Sequence, residues 1–151
     1  GRNGAEEQTE ENGVAKQSYR ERLAAAPPAV VEVLDEAKAE RMKAATMYIP
    51  APAEVAGMIA AIPPGETRTL KDLRDELQAQ GRAQTVCPAS INKYWRWLAW
   101  AADEEGGGDD GGSQFAVPWW RVLKDGKPGR KLPGGAERQV ALLRAEGVEV
   151  E

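Results

Sequence analysis

The chain has 151 residues, 42% hydrophobic and 29% charged, with a formal net charge of −4 and no histidine. That length admits one sizeable core with an appendage, and not two large domains. Because Cys87 is the sole cysteine, an internal disulfide, a Cys/His zinc site and histidine-based acid–base catalysis are excluded, and no metal or cofactor is expected. No apolar run approaches the roughly 18 residues of a membrane span, and no secretory pattern is visible, so a soluble cytoplasmic protein without a membrane partner is expected.

Residues 1–16, GRNGAEEQTEENGVAK, are polar and acidic and are expected to be disordered. The segment that follows, QSYRERLAAAPPAVVEVLDEAKAERMKAAT, predicts a short helix, a break at Pro27–Pro28 and a second helix from Ala29 to Ala45. Val30, Val33, Leu34 and Ala37 would form its apolar stripe, making residues 17–45 a helical packing extension to a main domain over 46–151.

Within that domain MYIP reads as a short strand, and Val55, Met58, Ile59 and Ile62 recur at helical spacing until Pro63-Pro64-Gly65 stops them. Thr69 with Asp72 three residues on is a capping box for LKDLRDELQAQG, with Leu70, Leu73 and Leu77 inward and Gly81 as the stop. Pro88 then suits the first turn of a long helix that runs to the acids Asp103 to Glu105. Two helices joined by a brief turn suggest a helix-turn-helix. On the long helix Ile91, Tyr94, Trp95, Leu98, Ala101 and Ala102 form a core stripe, while Asn92, Lys93, Arg96, Trp97 and Trp100 fall on the other side. Trp97 and Trp100 either pack beneath the N-terminal helices or the glycine-rich loop, or belong to a binding face; the sequence supports both.

GGGDDGGSQ predicts a flexible loop. FAVPWWRVLKDGKPGRKLPGGAERQVALLRAEGVEV predicts an extended segment, a turn at Asp125-Gly126, a Gly134-Gly135 connection and a final helix with Val140, Leu142 and Leu143 inward, ending at Gly147. Trp119 and Trp120 are adjacent, and neighbours on a strand face opposite ways, so one indole is core and the other needs a partner. Charge is also uneven. Pro118 to Arg138 holds six cations against two carboxylates, whereas DEEGGGDDGG just upstream holds five acids and no base.

IPPGETRTLKDL, the helix-turn-helix pattern, and VPWWRVLKDGKPGRKLPGGAERQVALLRAEGV resemble the C-terminal DNA-binding domain of the alkylguanine-DNA alkyltransferases, from Met47 to Val148. The resemblance implies an α+β fold, a winged helix-turn-helix with a short hairpin and a terminal helix. It implies DNA as the partner, with alkylated or unpaired bases in DNA repair as the target. The base pocket would be Pro118, Trp119, Trp120 and Arg121. The DNA-binding face would hold Ser90, Asn92, Lys93 and Arg96, with Lys124, Lys127, Arg130 and Lys131 on phosphates.

Departures from the family pattern bear on activity. Trp119 stands where the family has its acceptor cysteine, Trp120 where it has histidine and Leu70 where it has a tyrosine, and the family's helix arginine has no clear match. An indole is not a nucleophile of this kind, and Cys87 lies about thirty residues away with no histidine as base. The chain is therefore similar to the alkyltransferase-like branch that lacks the acceptor cysteine, with no catalytic residue expected. A repair-pathway protein is a further expected partner; the alternative is an adaptor without DNA binding, whose pocket the tryptophans plug and whose aromatic helix face binds a protein.

Overall fold

The computed structural model describes residues 17–104 and 114–150; the acidic tail 1–16 and residues 105–113 of the glycine-rich loop lie outside the described residues. Ser18 caps the first helix, α1 (Tyr19–Ala25): its hydroxyl accepts from the Glu21 N–H while the Glu21 carboxylate accepts from the Ser18 N–H. Leu23, only 2% exposed, anchors α1 against the long helix of the domain.

The expected second helix from Ala29 to Ala45 is corrected by the structure. Val30–Val33 is a strand, β1, and the helix, α2, covers only Glu36–Met42. Two proline residues set the chain extended, and the valines of VVEV lose side-chain freedom in a helix but fit a pleat. Asp35 then competes for the backbone: its carboxylate accepts from the Lys38 N–H at 2.8 Å, which makes it the N-cap. Residues 17–45 are thus helix, strand and helix.

Thr46–Ile49 forms β2, which pairs antiparallel with β1 (Val30 opposite Ile49) and parallel with β4, Thr85–Val86 (Met47 opposite Thr85), giving the order β1-β2-β4. Between them run α3 (Pro52–Ala60), β3 (Arg68–Thr69) and α4 (Leu70–Ala79). The Thr69–Asp72 capping box forms as its spacing predicts. α5 spans Pro88–Glu104, and after a 3-10 turn at Trp119–Arg121 comes β5, Val122–Leu123, which pairs parallel with β3. α6 (Gly135–Arg144) closes the chain.

The mixture of helices and small sheets is α+β. Its core is a single cluster around α5, in which Val55, Ile59, Leu73, Leu77, Ile91, Trp95 and Leu98 are at most 2% exposed. Among the described residues no helix is long and apolar enough to cross a membrane. Replacing Thr69 by Ala removes a cap shared by β3 and α4, and is expected to cost about 1 kcal/mol in urea unfolding without changing the fold.

Candidate nucleic-acid interface

α5 opens on Pro88, buries Ile91, Trp95 and Leu98, and leaves Asn92 and Arg96, one turn apart, half-buried on one flank. A tight hairpin stands opposite that flank. Lys124 and Lys127 exchange backbone hydrogen bonds of 2.9 Å each, and Asp125 (φ 54°) and Gly126 (φ 77°) between them are both left-handed. Asp-Gly suits a two-residue turn of this hand, which projects both lysines outward.

Between α5 and residues 124–132 lies a cleft of about 480 Å³, whose rim carries Arg96, Lys124, Lys127, Arg130 and Lys131. The four from the loop are exposed, and none of the five forms an ion pair among the described residues. Among the described residues, Asp125 is the only acid lining it. A second cleft of about 270 Å³ continues past Asn92, Lys124 and Asp125 into the angle between α4 and α5. There Arg74 is occupied, donating to the Val86 carbonyl at 2.8 Å and the Thr85 hydroxyl at 2.9 Å.

Two close contacts hold the cleft open. Its floor is Trp95, 1% exposed, whose indole N–H donates to the Trp119 carbonyl at 2.9 Å. Gly129 sits directly on this floor. A Cβ there would fall 2.6 Å from Leu132 Cδ1 and 2.8 Å from Trp95 Cη2, so the loop can approach only without a side chain. Gln139 of α6, fully buried, ties the pieces together: its Nε2 donates to the Trp120 carbonyl at 2.9 Å and the Val122 carbonyl at 2.7 Å, and its Oε1 accepts from the Gly129 N–H at 2.8 Å.

The tryptophan pair resolves differently from its expected pocket. The stretch is a 3-10 turn, not a strand, and it sets the rings perpendicular at 5.8 Å between centroids. Trp119 goes into the core at 3% exposure. Trp120 is half-buried and donates its N–H to Glu146 at 3.1 Å. Arg121 is not free for a phosphate or a base. Its guanidinium donates to both Glu146 oxygens, at 3.0 and 2.7 Å, and to the Ile62 carbonyl at 2.7 Å. Pro118 is the half-buried residue preceding the turn, and none of Pro118, Trp119, Trp120 and Arg121 lines the cleft.

Of the expected DNA-facing residues, Asn92, Arg96, Lys124, Lys127, Arg130 and Lys131 come together, and two do not. Ser90 is buried, its hydroxyl donating to Cys87 Sγ at 3.3 Å, so it is spent inside the fold. Lys93 lies on the opposite flank of α5, where its ammonium is 5.3 Å from the Trp97 ring. Trp100 takes the packing alternative, while Trp97 is half-buried and borders the groove between α1 and α5. Trp97 rests on the core, while Trp100 stacks on Tyr19 of α1 at 6.1 Å and donates to the Lys131 carbonyl at 2.9 Å.

Residues 50–148, which include α5 and the cationic hairpin, match the family described as 6-O-methylguanine DNA methyltransferase, DNA binding domain. The chain belongs to that family. No curated protein matches it. In this methyltransferase-type DNA-binding domain the sequence resemblance puts Trp119 at the acceptor position, and the backbone oxygen of that residue is the group Trp95 holds. Trp95, Gly129, Leu132 and Gln139 shape the cleft but were not singled out for it. Gln139 had a signal: it lies four residues before Leu143, on the apolar stripe of α6, where an amide needs buried partners.

Gln139→Leu keeps the volume but strands the Gly129 N–H and two carbonyls, so a loss of about 2–4 kcal/mol is expected in denaturant unfolding. Glu146 provides a pH test. The Arg121 ion pair, aided by the Trp120 and Gly65 N–H groups, holds its carboxyl below the usual range against the opposing effect of burial. A folded pKa below the unfolded one means stability that is complete above about pH 5 and is lost as pH falls through the folded value. Glu146→Gln should therefore lower stability by about 2 kcal/mol near neutrality and flatten the stability-versus-pH slope below about pH 5.

Proposed function

We propose that this chain is a non-catalytic DNA-binding protein of the alkyltransferase-like type, in which α4 and α5 act as a helix-turn-helix and the 124–127 hairpin as its wing. The observation that carries this reading is the set of five cations, Arg96, Lys124, Lys127, Arg130 and Lys131, that surround one cleft beside α5 and form no ion pair among the described residues. A chain with a net charge of −4 has no general attraction for DNA, so a focused patch is needed to supply it.

Absence of methyl transfer is supported by chemistry at the acceptor position. Trp119 offers no thiolate and is 3% exposed. Cys87 precedes α5, receives the Ser90 hydroxyl and has no histidine to serve it. A role in repair would then be detection of an alkylated or unpaired base in duplex DNA, with a repair-pathway protein acting afterwards. Magnitudes limit that detection. Extruding a paired base costs a few kcal/mol, and stacking on an aromatic face returns about 1–3 kcal/mol. Trp95 exposes only 1% of itself, so the cleft lacks such a face. A base already unpaired is the one it admits at least cost.

One observation favours a second reading, a protein adaptor on the same fold: β1 is a sheet edge whose Val30, Val31 and Val33 are 50%, 43% and 79% exposed. Affinity for a short duplex, with and without O6-methylguanine, across a salt series separates the two. The five cations contribute about −4 to −5 to the log–log slope, a contribution reduced by about 1 in Lys131→Ala or Arg130→Ala. Undetectable binding at low salt would leave the adaptor. Intact mass after incubation with the methylated duplex should show no added methyl group.

A further inference from the structure

We propose that Arg22 of α1 and Lys93 of α5, with Trp97 between them, form a second phosphodiester-binding groove on the far flank of α5, so that the segment preceding the family domain grips the other DNA strand. The inference rests on the DNA-binding reading above. α1 lies outside the matched residues 50–148, and nothing in the family match assigns it a task.

The groove, about 350 Å³, runs between α1 and α5 and is lined by Arg22, Ala26, Pro27, Lys93, Tyr94 and Trp97, among others, with no acid among the described residues. Its two cations converge on one indole. The Arg22 guanidinium lies 5.8 Å from the Trp97 ring centroid and 4.7 Å from that of Tyr19. The Lys93 ammonium lies 5.3 Å from Trp97 and 5.1 Å from Tyr94. Neither forms an ion pair among the described residues. Contacts with ring faces hold a cation in place while leaving its N–H groups free to donate to an anion.

α1 is fixed, so Arg22 is positioned rather than trailing. Leu23 is buried, Tyr19 stacks on Trp100 at 6.1 Å, and the Tyr19 N–H donates to Glu104 at 2.8 Å. The two flanks of α5 are then electrically alike. Asn92 and Arg96 face the hairpin cleft, while Lys93 and Trp97 face the α1 groove. A helix lying in a duplex groove has a phosphate backbone on each side. Cations on both flanks are what that placement requires, and phosphodiester oxygens are the anions that two cations held over one ring face attract.

The test uses the full chain and a short fluorescein-labelled duplex, with anisotropy read across a sodium chloride series for wild type, Arg22→Gln, Lys93→Gln and their double variant. Arg41→Gln, on α2, removes the same charge elsewhere, and Lys131→Ala reports on the hairpin cleft. Arg22→Gln and Lys93→Gln are each expected to weaken low-salt binding about 3- to 10-fold and to reduce the salt slope by about 1, and the double variant by about 2. Arg22→Lys should retain binding, which separates loss of a phosphate contact from loosening of α1. If Arg22→Gln and Lys93→Gln behave as Arg41→Gln does while Lys131→Ala weakens binding, the second groove is refuted and the first stands. If wild type binds no duplex even at low salt, both fall together.

Discussion

The bond from the Trp95 indole to the Trp119 carbonyl is the contact on which the cationic side of the molecule is built. It fastens the middle of α5 to the 3-10 turn, and the turn carries Arg121 into its ion pair with Glu146 and leads into β5. Both ends of the bond are buried, so losing it would leave a donor and an acceptor without water. Gln139 repeats the device from α6, reaching the same segment at Trp120 and Val122 and the loop at Gly129. Buried polar groups on two helices thereby fix one short irregular stretch, and the position of the cationic loop follows from it.

That anchoring explains how an acidic chain can present a basic surface. Phosphate binding depends on cations held at matching spacing more than on total charge. Here the hairpin turn sets Lys124 and Lys127 on one wall, the loop beyond it supplies Arg130 and Lys131, and α5 brings Arg96 to the other. Three other cations are tied up: Arg121 by Glu146, Arg82 by Glu54 and the Tyr48 hydroxyl, Arg138 by Asp103. The division is between cations that stitch the fold and cations left facing solvent.

Much of this was legible in the sequence where a local rule is strong. The Thr69–Asp72 capping box, Pro88 at the head of α5, the Asp125-Gly126 turn and the Ile91–Trp95–Leu98 stripe all depend on residues within a few positions of one another. The misreadings have long-range causes. VVEV carries a plausible helical stripe, and only a partner strand sixteen positions on, with Val33 opposite Thr46 at the near end, makes it β1. Pro118 to Arg121 formed a site by family position, yet Arg121 is consumed by a glutamate 25 residues later. The surroundings of Trp97 and Trp100 depend on α1, far earlier in the chain: Tyr19 stacks on Trp100, and Arg22 lies over the Trp97 ring.

The depth of Trp119 also sets how far that position can change. Its ring is 3% exposed and fills the interior beside the 3-10 turn. Replacing it by Cys would empty a hole there at a cost of about 3–5 kcal/mol, against a typical total stability of about 5–15 kcal/mol. A thiol at this spot would thus threaten folding before any reactivity could matter, and the large ring serves as a keystone of the interior.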